Sequence, residues 1–169
     1  MSSNTAVLRT AVEEAPEGLV VCLYDGVGRL PHYNPDDDFD PIAPEVVAAR
    51  AAIGGADAVL FSVPEYAGTM PGSFKNLLDW AVGGVELNDK ACAWINTSPY
   101  PDRGAGATDA LATTLRWVSA RLVGSACAHI AVARHVVNDE GVIADAIVRT
   151  QIIAVLLALR EGTTTGGSR

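Results

Sequence analysis

The sequence predicts an α/β fold in which helices cover both faces of a parallel sheet. Two observations carry this. Short apolar runs alternate with segments of helical apolar spacing, the pattern of right-handed strand–helix–strand crossovers. In addition, the run Ala58–Val63 passes through a loop of turn formers, Pro64-Glu65-Tyr66-Ala67-Gly68-Thr69-Met70-Pro71, directly into an amphipathic helix. Strand, Gly/Pro loop and helix in that order build a ligand site at the carboxyl edge of a parallel sheet.

Taken in order, Asn4 to about Ala15 has helical spacing, with Ser2, Ser3 or Asn4 available as N-cap. Pro16-Glu17-Gly18 stops it. Leu19–Tyr24 reads as a buried strand from its β-branched content. Asp25 to Asp40 is irregular and includes three consecutive aspartates, Asp36, Asp37 and Asp38. Pro44 opens a helix as a first-turn proline, and Gly54-Gly55 ends it. The strand Ala58–Val63 follows, then a helix over Gly72–Val82 that stacks Phe74, Leu77, Leu78 and Ala81 on one face.

Ala91–Asn96 is the next strand, followed by the loop Thr97–Gly106 and a helix over about Ala107–Leu122. Ser125 to about Arg134 is the last strand and Ile143 to about Arg160 the last helix. The expected organisation is one domain over 1–161 and a disordered polar tail over 162–169. Only four strands are visible and a helix comes first, whereas a doubly wound domain normally opens on a central strand.

The chain has 169 residues, 49% apolar and 19% charged, which is a globular composition. A net charge of −8 argues against binding nucleic-acid phosphates. No apolar run is long enough to span a bilayer, and Met1–Thr5 lacks a basic stretch followed by an apolar one, so the expected location is the cytoplasm. Cys22, Cys92 and Cys127 are far apart in apolar runs, which suits reduced, buried thiols. The aspartate run has no accompanying ligand cluster and reads as a solvated loop. His32, His129 and His135 show no metal or triad spacing, and Ser62, Ser98 and Ser119 have no nucleophile-elbow context.

The segment from Pro64 to Trp80 resembles the P-E-Y-N-G-S-x-P-G-x-L-K-N-x-x-D-W block of the NADPH-dependent FMN reductase family. Pro64, Glu65, Tyr66, Gly68, Pro71, Gly72, Lys75, Asn76, Asp79 and Trp80 coincide. Leu30-Pro31-His32-Tyr33-Asn34-Pro35-Asp36 is similar to the family's L-P-x-Y-N-x-D segment. The resemblance implies a flavodoxin-like sheet of order 2-1-3-4-5, with FMN bound and NADPH (or NADH) as co-substrate.

Two departures stand out. The family opens on a strand and a phosphate loop of the form G-S-x-R-x-x-S-x-N, of which this chain keeps only the end, Ser2 and Asn4. Ala67 stands where the family usually has Asn. The first strand would lie between Leu19–Tyr24 and Ala58–Val63. Each buried backbone group left unpaired there costs about 1–3 kcal/mol. A slot of that kind can be closed by its neighbours, filled by another chain, or filled by residues upstream of Met1; the last is the expectation.

The resemblance assigns the FMN phosphate to the start of the first helix, at Ser2, Ser3 and Asn4, where free amides and the helix dipole favour an anion. It assigns the isoalloxazine and ribityl parts to Pro64, Glu65, Tyr66, Ala67, Gly68 and Thr69. Glu65 is better suited to bonding backbone amides or a partner subunit than to sitting beside an electron-rich ring. Ser98, Gly104 and Gly106 fall in a second flavin-edge loop, and Arg103 is a candidate for an NADPH phosphate. No protein residue is expected to be catalytic, because the cofactor carries the hydride chemistry. The implied reaction is reduction of a small-molecule electron acceptor (a quinone, azo compound, metal oxyanion or free flavin) by a ping-pong route. The implied assembly is a homodimer or homotetramer through the Gly72–Val82 helix. An N-terminally truncated, flavin-free interaction subunit or inactive fragment of that family, and a flavodoxin-like electron carrier, are the alternatives.

Overall fold

A computed structural model describes residues 2–164. Five helices surround a parallel sheet: α1 (Ser3–Glu13), α2 (Pro44–Gly54), α3 (Gly72–Trp80), α4 (Ala105–Trp117) and α5 (Ala146–Thr164). The strands are β1 (Ala58–Phe61), β2 (Ala91–Asn96), β3 (Arg121–Leu122) and β4 (Ala128–His129). β2 is central: β1 lies parallel along one side, and β3 and β4 lie parallel along the other. In β1, Ala58 pairs with Ala91 and Phe61 with Trp94.

The core lies on both faces of this sheet. One face packs Phe61, Leu78, Leu111 and Leu115 beneath α3 and α4. The other packs Val7, Ala11, Ile95, Ile130, Ile152 and Val155 between α1 and α5. Alternation along β1 and β2 sends successive side chains to opposite clusters, as a sheet covered on both faces requires.

The segment Leu19–Tyr24 differs from its expectation. It forms no ladder, and among the described residues Val20–Tyr24 make no backbone hydrogen bond to a strand. A strand exists by virtue of a hydrogen-bonded neighbour, and among the described residues β1 pairs only with β2. Leu19 and Val21 still pack on the α1/α5 cluster and Tyr24 on the opposite one. Val20 is 91% exposed and Cys22 is exposed as well, so not all three thiols are buried. The full order 2-1-3-4-5 is therefore not displayed.

Several boundaries also move. α4 ends at Trp117 rather than Leu122, because Ser119 turns left-handed at φ 57°. Ala120 N–H then bonds the Leu115 carbonyl at 2.9 Å, the 6→1 bond of a Schellman stop. The released residues start β3 early, and the expected last strand becomes β3 and β4, separated by a single turn over Gly124–Ala126. Ile143 belongs to a small antiparallel bridge with Val137 rather than to α5. α5 begins after Asp145, whose Oδ1 accepts from Ile147 and Val148 N–H. It runs through Thr164, so 162–164 of the expected tail are helical, and the rest of that tail lies outside the described residues.

The aspartate run is not uniformly solvated. Asp36 and Asp37 are exposed, but Asp38 is largely covered and pairs with Arg50 at 2.8 Å. Arg50 also donates Nε–H to the Trp80 carbonyl at 2.9 Å, tying α2 to the end of α3. Among the described residues no His, Cys, Asp or Glu cluster could hold a metal ion, and no helix is long and apolar enough to cross a membrane.

Candidate functional site

Three segments meet at the carboxyl edge of the sheet: the start of α1, the loop after β1 and the loop after β2. Hydroxyl and amide side chains tie the first to the other two. Ser62 Oγ donates to Asn4 Oδ1 at 2.9 Å and also bonds the Ile95 carbonyl at 3.1 Å. Thr97 Oγ1 bonds Asn4 Oδ1 at 3.2 Å and lies 3.0 Å from Ser3 Oγ. Ser2 caps α1, its Oγ accepting from Thr5 N–H. The side chains of Ser2, Ser3 and Asn4 thus anchor the helix, while the first-turn amides of Ser3 and Asn4 have no intrahelical partner.

The loop after β1 folds into a tight hairpin. Tyr66 N–H bonds the Thr69 carbonyl at 2.9 Å and Thr69 N–H bonds the Tyr66 carbonyl at 3.1 Å. Ala67 and Gly68 at its tip both have positive φ, 52° and 78°. Two left-handed residues in a two-residue loop are the type I′ turn, for which Asn-Gly is the preferred sequence. The Asn that the family usually places at 67 therefore suits the backbone as well as any ligand. Among the described residues the Ala67 and Gly68 amides have no protein partner. Nothing lies within 4 Å of where a Gly68 side chain would be, and Tyr66 is 65% exposed. Tyr66, the two open amides and Gly68 thus lie together at the exposed tip of the hairpin.

The loop after β2 is organised by Asn96. Its Oδ1 accepts from Ser98 N–H at 3.0 Å and its Nδ2 donates to the Arg103 carbonyl at 3.0 Å. Gly104, at φ 88°, has the Asn96 carboxamide 2.2 Å from where a side chain would begin. Ser98 Oγ accepts from Tyr100 N–H at 3.1 Å, and His129 donates Nε2–H to the Ser98 carbonyl at 2.7 Å. Arg103 is exposed, with its guanidinium 5.7 Å from the Tyr100 ring centroid.

The two loops touch. Gly106 N–H donates to Glu65 Oε2 at 2.9 Å. A side chain on Gly106 would meet the Gly68 carbonyl at 2.2 Å, so only glycine lets the hairpin rest on α4. Glu65 thus bonds a backbone amide, the role its charge suits. Gly104 and Gly106 have intramolecular reasons to be glycine, separate from any ligand.

α3 carries the rest of the motif away from the edge. Trp80 and Asn76 both donate to the Pro31 carbonyl, each at 2.8 Å, and Asn76 Oδ1 accepts from Tyr33 N–H at 2.8 Å. Lys75 and Asp79 pair one turn apart on its surface. The motif residues Asn76 and Trp80 thus hold the loop after Tyr24, and Trp80 itself is buried core. Reading the sequence did not single out Ser62, Asn96, Thr97 or His129 as site-builders. Their one shared signal is a polar residue at or near the carboxyl end of an apolar strand.

A parallel sheet with the start of α1 and the loops after β1 and β2 at its carboxyl edge defines a doubly wound nucleotide-cofactor fold of flavodoxin-like type. The model of the NADPH-dependent FMN reductase family matches residues 1–135, and the chain belongs to that family. The family is one of oxidoreductases working with FMN and NADPH.

A quinone reductase of Pseudomonas putida is 30% identical over 85% of this chain and 78% of its own length. An NAD(P)H-dependent FMN reductase of Pseudomonas aeruginosa is 40% identical over 47% of this chain. A probable NADPH:quinone oxidoreductase of Oryza sativa is 40% identical over 57% of it. The matched stretch spans 43% of the Pseudomonas aeruginosa protein and 50% of the Oryza sativa protein. Among solved structures, FerB, a flavoenzyme NAD(P)H:(acceptor) oxidoreductase from Paracoccus denitrificans, superposes with a TM-score of 0.79 at 28% identity, over 95% of this chain and 91% of FerB.

Proposed function

We propose that this chain is an FMN-dependent NAD(P)H oxidoreductase that reduces a small-molecule acceptor of the quinone class. The observation that carries the reading is the convergence of the α1 start, the Tyr66–Thr69 hairpin and the Asn96–Gly106 loop on one sheet edge, in a member of this family. The relatives named as quinone reductases favour quinones over azo compounds, metal oxyanions or free flavin.

When bound, FMN would supply the hydride chemistry of a ping-pong reduction of the acceptor by NAD(P)H. The chain's own residues bind and orient. Amides of Ser3 and Asn4, at the positive end of α1, would hold the phosphate, with Ser2 closing the cap. The Ala67 and Gly68 amides and the exposed Tyr66 would meet the isoalloxazine and ribityl parts. Thr69 closes the hairpin on Tyr66, two residues after Pro64, while Glu65 holds it to α4. Ser98, Gly104 and Gly106 would shape the second wall, and exposed Arg103 would offer its guanidinium to a phosphate of the incoming NAD(P)H. One unit over 1–161, paired through α3 into a homodimer or homotetramer in the cytoplasm, completes the reading.

The test is to add FMN to the purified protein, then NADPH without oxygen, then a benzoquinone. Quenching of FMN fluorescence, bleaching near the flavin absorption maximum and recovery on adding quinone are expected. No quenching and no bleaching reject the reading. That result supports a flavin-free interaction protein instead, which the engagement of the Ser2, Ser3 and Asn4 side chains within the fold favours.

A further inference from the structure

α4 begins without a cap of its own. Its N-cap is Gly104, which makes no side-chain hydrogen bond, and no acidic residue lies in its first turn. The first-turn amides of a helix need acceptors. One arrives from 41 positions earlier in the chain, the Glu65 carboxylate on Gly106 N–H. Glu65 lies immediately before the hairpin, whose two cross-bonds join Tyr66 and Thr69. The Gly68 carbonyl at the hairpin tip rests where a Gly106 side chain would begin. Two independent contacts, one charged and one steric, therefore join the hairpin to a single turn of α4.

We propose that Glu65 is a positioning residue that locks the Tyr66–Thr69 hairpin to the first turn of α4, so that the two walls of the site move as one body. A negative charge at a helix N-terminus is favoured by the helix dipole and by a charge-assisted hydrogen bond. A hairpin with only two cross-bonds, exposed from Tyr66 to Thr69, has little else to fix its angle. The consequence for binding rests on the FMN reading above; the lock itself does not.

The test uses the full chain with Glu65→Ala and Glu65→Gln, read by residue-resolved amide hydrogen exchange without cofactor and by FMN titration. Glu65→Ala speeds exchange at Gly106 and Thr69 together by about tenfold, with the α5 core amides unchanged. It weakens FMN binding by about tenfold. Glu65→Gln keeps an acceptor oxygen and restores both to within about threefold of wild type. Unchanged exchange in Glu65→Ala, or faster exchange at Gly106 without Thr69, overturns the lock. Exchange raised throughout the chain overturns it too, by showing general loss of stability. A Glu65→Gln protein that binds FMN as weakly as Glu65→Ala also overturns it, since the charge would then act on the cofactor directly. If the wild-type chain fails to bind FMN, the functional reading falls, while the exchange measurements still decide the lock.

Discussion

Trp80 donates its indole N–H to the Pro31 carbonyl at 2.8 Å, and Asn76, one turn earlier on α3, donates to the same oxygen. The Tyr33 ring meets the Trp80 ring edge-on at 5.0 Å. The two motif residues thus fasten the irregular stretch after Tyr24 to the helix behind the site.

Removing that fastening should loosen the stretch before it unfolds the chain. Trp80→Phe loses one bond and leaves a small void, costing about 1–3 kcal/mol in urea unfolding. Asn76→Ala removes one of the two donors to the Pro31 carbonyl and the acceptor of Tyr33 N–H, so limited proteolysis should cut near His32 sooner than in wild type. Equal cleavage rates in the two proteins would refute this account of the loop.

Ala67 occupies a left-handed position at φ 52° that a β-carbon disfavours. Ala67→Asn should stabilise the protein by about 0.5–1 kcal/mol, because Asn is at ease in the first position of a type I′ turn. Denaturant midpoints of the two proteins give the answer, and a lower midpoint for the variant would show that the turn is not under this strain.

Thr10 is wholly buried, donates to the Ala6 carbonyl at 2.8 Å and accepts from Ile143 N–H at 2.9 Å. Thr10→Val keeps the shape but strands a buried amide, so a loss of about 1–3 kcal/mol is expected, while Thr10→Ser should keep the bond. Thermal unfolding of both variants separates the lost acceptor from the lost methyl.

Burial pushes the Cys92 thiol up from an ordinary 9.0 to about 12, and the Cys127 thiol is raised for the same reason. A thiol reagent at pH 8 should therefore label exposed Cys22 rapidly and Cys92 only on unfolding. The sign of the stability effect follows from linkage. The native pKa of Cys92 exceeds the unfolded one, so the unfolded chain loses this proton first. Its contribution is whole below pH 9 and is lost as pH rises toward about 12. Comparing Cys92→Ala with wild type across that range isolates it; parallel stability curves would contradict the assignment.

The sequence by itself determined the alternating architecture, the positions of α2 and α3, and a turn-forming loop after β1 at the carboxyl edge of the sheet. Those features are written locally, in apolar period, a first-turn proline and a long Gly/Pro-marked motif. Only the tertiary structure decided that Leu19–Tyr24 is not a strand. Its composition is that of a buried strand, but a strand requires a partner at hydrogen-bonding distance, and composition does not supply one. Tertiary contact likewise decided that Glu65 caps α4, that Asn96 shapes the loop ending at Gly104, and that Asn4 meets Ser62 and Thr97. These pairs lie far apart in the chain or depend on a turn's exact path. The polar satisfaction of a sheet edge is set by which strand ends the fold brings together, and no local window of residues records that.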